Sequence, residues 1–349
     1  GREAQGSWRP PPPPSLPVAS RPTCTWRAMA APRDLSQSFD LSRADAGPAR
    51  GQPALGWRNW VNVLAYAVNA GVTAASLAGA FGETNTALSK KYQTLVTPAG
   101  WAFSIWGPIF IWELVFALAQ FAPQLRASEV VRVVTPWWAV ACAFQAAWSV
   151  FFGREAITVA LICMLGILGS LLGLILAADR LKISLAEYWL LRAPFSLHAG
   201  WIIAASAVNA NVLADANRAA PATLLSLAIC SLAAIFALVA IFVVAVPKPD
   251  AIISLVAAWA LAGVRAELVE AKNLLDPGRF NPYAWGAVEL GGVRGAAWLL
   301  CLACLGLAAI ALLLRASRRC MPVAMQGGKG AGRGAYPTAA EAAGAAAVA

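Results

Sequence analysis

The sequence predicts an all-α protein, a polytopic membrane bundle of about eight transmembrane helices. Hydrophobic residues make up 59% of the 349-residue chain and charged residues only 13%. Soluble domains carry about a quarter charged residues. Mean hydropathy is +0.63. Eight apolar runs near 20 residues follow one another from residue 57, and about 20 apolar residues suffice to cross a bilayer as a helix. A helix is the form expected for each run, because hydrocarbon offers the backbone no hydrogen-bond partners.

Residues 1–56 are rich in Pro, Ser, Ala and Arg, without apolar periodicity, and read as a disordered segment. Two accounts stay open. Met29 is the true start and the residues before it are upstream sequence, or the stretch is an organelle-targeting presequence. The apolar runs are then 57–82, 101–122, 136–153, 156–178, 186–213, 222–247, 250–266 and 296–315. The run at 250–266 is the shortest and the least secure as a span. In the fourth, Gly169 and Gly173 place two small residues on one face, a spacing that suits close helix contact. Pro108 and Pro194 lie inside apolar runs and should kink their helices. Residues 317–349 form a Gly/Ala-rich tail, read as disordered.

The net charge of +10 does not mark nucleic-acid binding, since the basic residues sit in short loops and both tails without aromatic interleaving. They set topology instead. An even number of spans puts both tails on one side. Counting Arg58, Arg126, Arg132, Arg192, Lys248 and the C-terminal cluster there favours the cytosol or its organellar equivalent. The seven cysteines are scattered, and the four or five that lie within apolar runs behave there as small apolar groups.

The densest information lies in 97–152, where six tryptophans fall in two apolar segments. Indoles prefer the membrane interface. Those in mid-segment need a partner for the N–H, or a pocket wall to form. Trp138, Ala141, Gln145, Trp148 and Phe152 follow a 3-4-3-4 pattern and make one stripe. Glu113 lies mid-span, where an acid costs about 2.5–3.5 kcal/mol, so it should face the bundle. It is a candidate proton or polar site, or one half of an interhelical hydrogen bond. His198, the single histidine, shares a face with Trp201 and Asn209. It is a candidate ligand contact or a hydrogen-bonded core residue, and no metal site is expected around it. Asn209 is a candidate polar contact or a helix cap. No phosphate loop, nucleophile–base pair or paired carboxylate appears, so catalysis has little direct support.

Three motifs carry a family resemblance. TPAGWAFSIWGP resembles the second-helix signature of the tryptophan-rich sensory protein / translocator protein family (TspO/MBR), with Pro98, Gly100, Trp101, Phe103 and Trp106 at motif positions. FQAAWSVFFG resembles that family's third helix through Trp148, Ser149, Phe151 and Phe152, and WIIAASAVN its fifth through Trp201, Ala205 and Asn209. The resemblance covers about 57–213 and implies a five-helix core followed by three further segments, 214–316. It implies a pocket for a flat hydrophobic molecule, a tetrapyrrole such as porphyrin or haem, or a sterol. Trp101, Phe103, Trp106, Trp148 and Trp201 would line it and Asn209 would add a polar contact, with Gln145 and His198 as further candidates. Gln145 stands where the family has Asn, and Pro194-Phe195 lies farther from Trp201 than the family's Pro-Tyr, so the chain resembles a divergent, longer branch. Sensing or transport is the expected role. Proton-coupled transport through Glu113 and light-dependent porphyrin breakdown are the alternatives. Lipid, the apolar ligand and a homodimer are the expected partners.

Overall fold

The computed structural model describes residues 54–269 and 284–320, the last three by backbone alone. Expectations for the N-terminal segment before residue 54 and for the tail after 320 lie outside these residues. Among the described residues, eight helices or helix runs are long and apolar enough to cross a membrane. The protein is an integral, multi-pass membrane protein.

The elements are α1 (Trp57–Leu77), α2 (Asn85–Lys91), α3 (Trp106–Ala119), α4 (Glu129–Gly153), α5 (Ile157–Asp179), the single turn α6 (Leu185–Glu187), α7 (Ala193–Ala216), α8 (Pro221–Val244), α9 (Ala251–Val269) and α10 (Ala287–Cys320). A 3-10 turn (Gly100–Ile105) leads into α3 and a π turn (Tyr188–Arg192) into α7. The segment at 250–266 is a full helix, α9, with a largely buried surface. The third span starts at Glu129, earlier than 136, because Pro136 is absorbed inside α4 rather than opening it. Pro108 sits in the first turn of α3, directly after the 3-10 turn. Pro194 follows the π turn, whose wider winding accommodates a residue without an N–H.

α4 and α5 form the most extensive helix pair, α1 leans on α4, and α7 runs through the middle against α3, α5, α8 and α9. α7 is buried nearly all round. The small residues of α5 work differently from the sequence expectation. A Cβ on Gly166 would lie 2.7 Å from the Phe144 ring and one on Gly173 2.6 Å from Trp137, while Gly169 meets nothing within 4 Å. The two contacts are two turns apart, so α4 rings seat on Gly166 and Gly173.

One buried ion cluster ties three helices at the tail side. Arg192 donates to Asp179 at the end of α5 (3.1 and 3.2 Å) and to Asp250 at the start of α9 (3.1 Å). Ser196 joins through Asp250 (2.6 Å) and a close contact with Arg192. Asp250 also caps α9, accepting from the N–H groups of Ile252 and Ile253. Arg192 is fully buried, so it is a packing element rather than a loop charge that sets topology. Nearby, Lys248 donates to the carbonyl of Leu181 and burial pulls its pKa below the usual lysine range. Arg315 of α10 reaches Tyr188 at 2.8 Å, tying the last helix to the π turn.

Two outcomes follow for stability in detergent. Gly173→Leu forces the Trp137 ring aside, an overpacking cost of about 1–3 kcal/mol, and should lower the thermal midpoint; Gly169→Leu should leave it unchanged. Arg192→Met leaves two buried carboxylates without their cation. It should cost about 3–5 kcal/mol and lower the midpoint more than Gly173→Leu, as read by thermal unfolding monitored with circular dichroism.

Candidate functional site

The stripe expected on α4 is buried as one face: Trp138, Ala141, Gln145, Trp148 and Phe152 all point into the bundle. Its lower part, from Gln145 on, forms one wall of a cavity of about 1200 Å³. Phe103 and Trp106 enter from the 3-10 turn and the start of α3, and Trp201 and Asn209 from α7. The upper part does not reach the cavity. Trp138 is packed against Phe116 and Phe195, with ring centroids 6.0 and 5.1 Å away.

The aromatic wall is held by edge-to-face contacts. Phe103 meets Trp201 at 5.5 Å and 79°, and Trp106 meets Trp201 at 6.3 Å and 79°. Such pairs are worth about 0.5–1.5 kcal/mol beyond their buried area. Trp148 stacks on Phe152 at 5.0 Å and donates its N–H to Asn209 Oδ1 at 3.0 Å. Asn209 donates in turn to the Ala205 carbonyl at 2.9 Å. It is therefore no helix cap, since α7 continues to Ala216. It orients Trp148. Four cavity-lining polar atoms have no protein partner: the Trp201 N–H, Gln145 Oε1, Asn85 Oδ1 and the Thr73 hydroxyl. One is a donor, two are acceptors and one is either.

Six sequence candidates thus come together around the cavity: Phe103, Trp106, Gln145, Trp148, Trp201 and Asn209. Two do not. Trp101 turns outward, 46% exposed, and meets Trp259 of α9 edge-on at 4.8 Å; the 3-10 winding swings it away from Phe103 and Trp106. His198 lies behind the wall, with its ring 5.7 Å from Trp106. Its Nδ1 is 2.7 Å from Glu113 Oε1 and both side chains are fully buried. The pairing went unread in the sequence because the partners are 85 residues apart.

A roof covers the cavity. After α1 the chain turns at Gly82, whose φ is +129° and where a Cβ would lie 2.4 Å from the Gly153 carbonyl oxygen. Only glycine fits there. α2 follows and contributes Lys90 and Lys91 to the rim. Lys91 Nζ binds Glu155 at 2.6 Å and Tyr92 Oη donates to the same carboxylate at 2.5 Å. On the other side Gln93 donates to Glu267 of α9 at 2.7 Å. α9 also holds the segment below. The Gly263 carbonyl accepts from the Ala99 N–H at 3.0 Å and Trp259 Nε1 donates to the Ala102 carbonyl at 3.0 Å. The roof residues carried no apolar signal, and their role follows only from where α9 sits.

The cavity also reaches the bilayer side. Leu77 of α1 and Ile111 of α3 line it and are 59% and 66% exposed. Gly107 lines it too, and a Cβ there would meet nothing within 4 Å.

Comparison with known proteins agrees with this architecture. Searches of curated proteins and of solved structures return no match. A protein-family model described as "TSPO-like protein" matches residues 59–277. That span holds well over half the chain. It takes in the cavity, its roof and α9, and stops before α10. The chain belongs to the TSPO-like protein family.

Proposed function

We propose that this protein is a membrane receptor for a flat hydrophobic molecule of tetrapyrrole or sterol size, serving sensing or transport. The cavity carries the reading. At about 1200 Å³ it exceeds the range of roughly 300–1000 Å³ usual for drug-sized ligands, so it has room for a rigid polycycle. Indole and phenyl faces supply apolar walls without much side-chain entropy to lose. The free donor on Trp201 and the acceptor on Gln145 fix orientation. The deep wall carries no charge, whereas Lys90 lies exposed at the rim, so a ligand with an acidic edge would keep that edge toward the roof. The gap beside Gly107 lets an apolar ligand arrive from the lipid, where it is already concentrated.

Titration of protoporphyrin IX into the purified full chain, followed by the shift of the porphyrin absorbance, tests the reading. Trp106→Ala and Trp148→Ala should each weaken binding by about tenfold or more, the loss of roughly 1.4 kcal/mol or more. Trp101→Ala should bind as the wild type does. Equal affinity in all three variants, or no saturable binding of porphyrin or cholesterol by the wild type, overturns the proposal. In the same assay, Glu155→Gln weakens the hold on the roof. It should speed ligand release by about three- to tenfold, within the ~1.5 kcal/mol of a half-exposed charge-assisted bond, with little change in protein stability.

A further inference from the structure

α1 is built inside out. The residues it buries are Asn59, Asn62, Asn69 and Ser76, while Leu64, Val68 and Leu77 face outward. Lipid tails are as apolar as leucine, so a helix in lipid gains by turning polar groups inward. Opposite this face stand Glu113 of α3, Gln120 just after it, and Thr135, Cys142, Gln145 and Ser149 of α4, all buried. Asn59 to Ser76 covers about 25 Å at roughly 1.5 Å per residue, close to the ~30 Å of a hydrocarbon core. The result is a polar seam from the tail side of the bundle to the cavity.

The tail-side end is closely bonded. Asn59 donates to Gln120 Oε1 (3.3 Å) and the Arg126 carbonyl (3.2 Å), and Asn62 to Gln120 Oε1 and Thr135 Oγ1 (3.0 Å each). At the cavity end Ser76 donates to the Ser149 carbonyl at 3.4 Å, and Gln145 and Thr73 line the cavity itself. The middle is different. There Glu113 is faced by three titratable groups, one from each neighbouring helix: Tyr66 of α1, Cys142 of α4 and His198 of α7. Tyr66 is engaged by the Phe110 carbonyl at 3.0 Å. Asn69 lies beside the Cys142 thiol without a regular hydrogen bond. Glu113 Oε2, His198 Nε2, both polar atoms of Asn69, Asn62 Oδ1, Thr73 Oγ1 and Gln145 Oε1 are buried with no protein partner. Buried polar atoms in such a run are what internal water bridges, typically with about three hydrogen bonds per molecule.

We propose that this seam is a proton pathway with Glu113–His198 as its relay. The pair is bonded through Oε1 and Nδ1 and leaves its two outer atoms, Oε2 and Nε2, open. A proton arrives on Oε2 as one leaves Nε2 to water, and the proton between Oε1 and Nδ1 shifts across. One proton enters and one departs, so the pair regains its count and no net charge stays buried. Rotation of the carboxyl and imidazole resets the tautomer. Trp106, packed on His198 and lining the cavity, couples the relay to the state of the cavity.

The test uses the full chain in phosphatidylcholine vesicles with entrapped pyranine, driven by a potassium gradient and valinomycin, without ligand. The wild type should acidify the lumen faster than protein-free vesicles. Glu113→Gln should lose this flux and Glu113→Asp should retain part of it. Asn69→Leu is the second arm. It removes a side chain that makes no regular hydrogen bond, so the fold should hold, as an unchanged thermal midpoint by circular dichroism reports, while flux falls to the protein-free rate. Wild-type flux no faster than protein-free vesicles, or flux retained in either Glu113→Gln or Asn69→Leu, overturns the proposal. Flux is measured without ligand, so a chain that conducts protons and binds no porphyrin would sink the receptor reading alone.

Discussion

Polar groups inside a bilayer have only one another to bond with, and this constraint orders the whole bundle. In water, burial drives apolar side chains inward. Here lipid accepts them and the sorting runs the other way. α1 buries asparagines and shows leucine and valine to the outside. α7 takes the centre, and polar residues on it and on the π turn before it find partners on other helices: Arg192 with Asp179 of α5, Arg192 and Ser196 with Asp250 before α9, His198 with Glu113 of α3, and Asn209 with Trp148 of α4. Asn211, which donates to Ser231 of α8 at 2.8 Å, and Gly200, where a Cβ would lie 2.8 Å from Val256 of α9, set the same rotation, while the apolar residues of α7 lie on every side.

The same constraint builds the cavity. Indoles form the wall because each offers a large apolar face and one N–H. Where the N–H is satisfied, as Trp148 is by Asn209, the ring is fixed. Where it is not, as in Trp201, the N–H is buried without a protein partner. The proposed ligand, a stiff polycycle, would lose little motion against a wall of this kind.

Much of this was legible in the sequence, and the limits have physical causes. The spans could be read because hydropathy over 20 residues is a local property, and the α4 stripe because helical period is local too. Phe103, Trp106, Trp148 and Trp201 could be placed at one site by their motifs. What escaped depends on how helices rotate against one another. Glu113 and His198 each looked like a lone polar residue until α3 and α7 were set side by side. Trp101 shares a motif with Trp106 yet faces α9, because a 3-10 turn has a different angular step. Gly169 and Gly173 looked equivalent by spacing, and only the Phe144 and Trp137 rings distinguish the glycines that matter, Gly166 and Gly173. Arg192 looked like a topological charge, since nothing local announces two distant aspartates.

The contact between Gly263 and the stretch Pro98–Ala102 has a consequence for assembly. The roof is made from residues before 100, but its fastening on that side is made by residues after 258. A chain emerging from the ribosome therefore inserts its first five spans with the chamber still uncapped on the α9 side. The side of the cavity that α9 covers is thus fastened last.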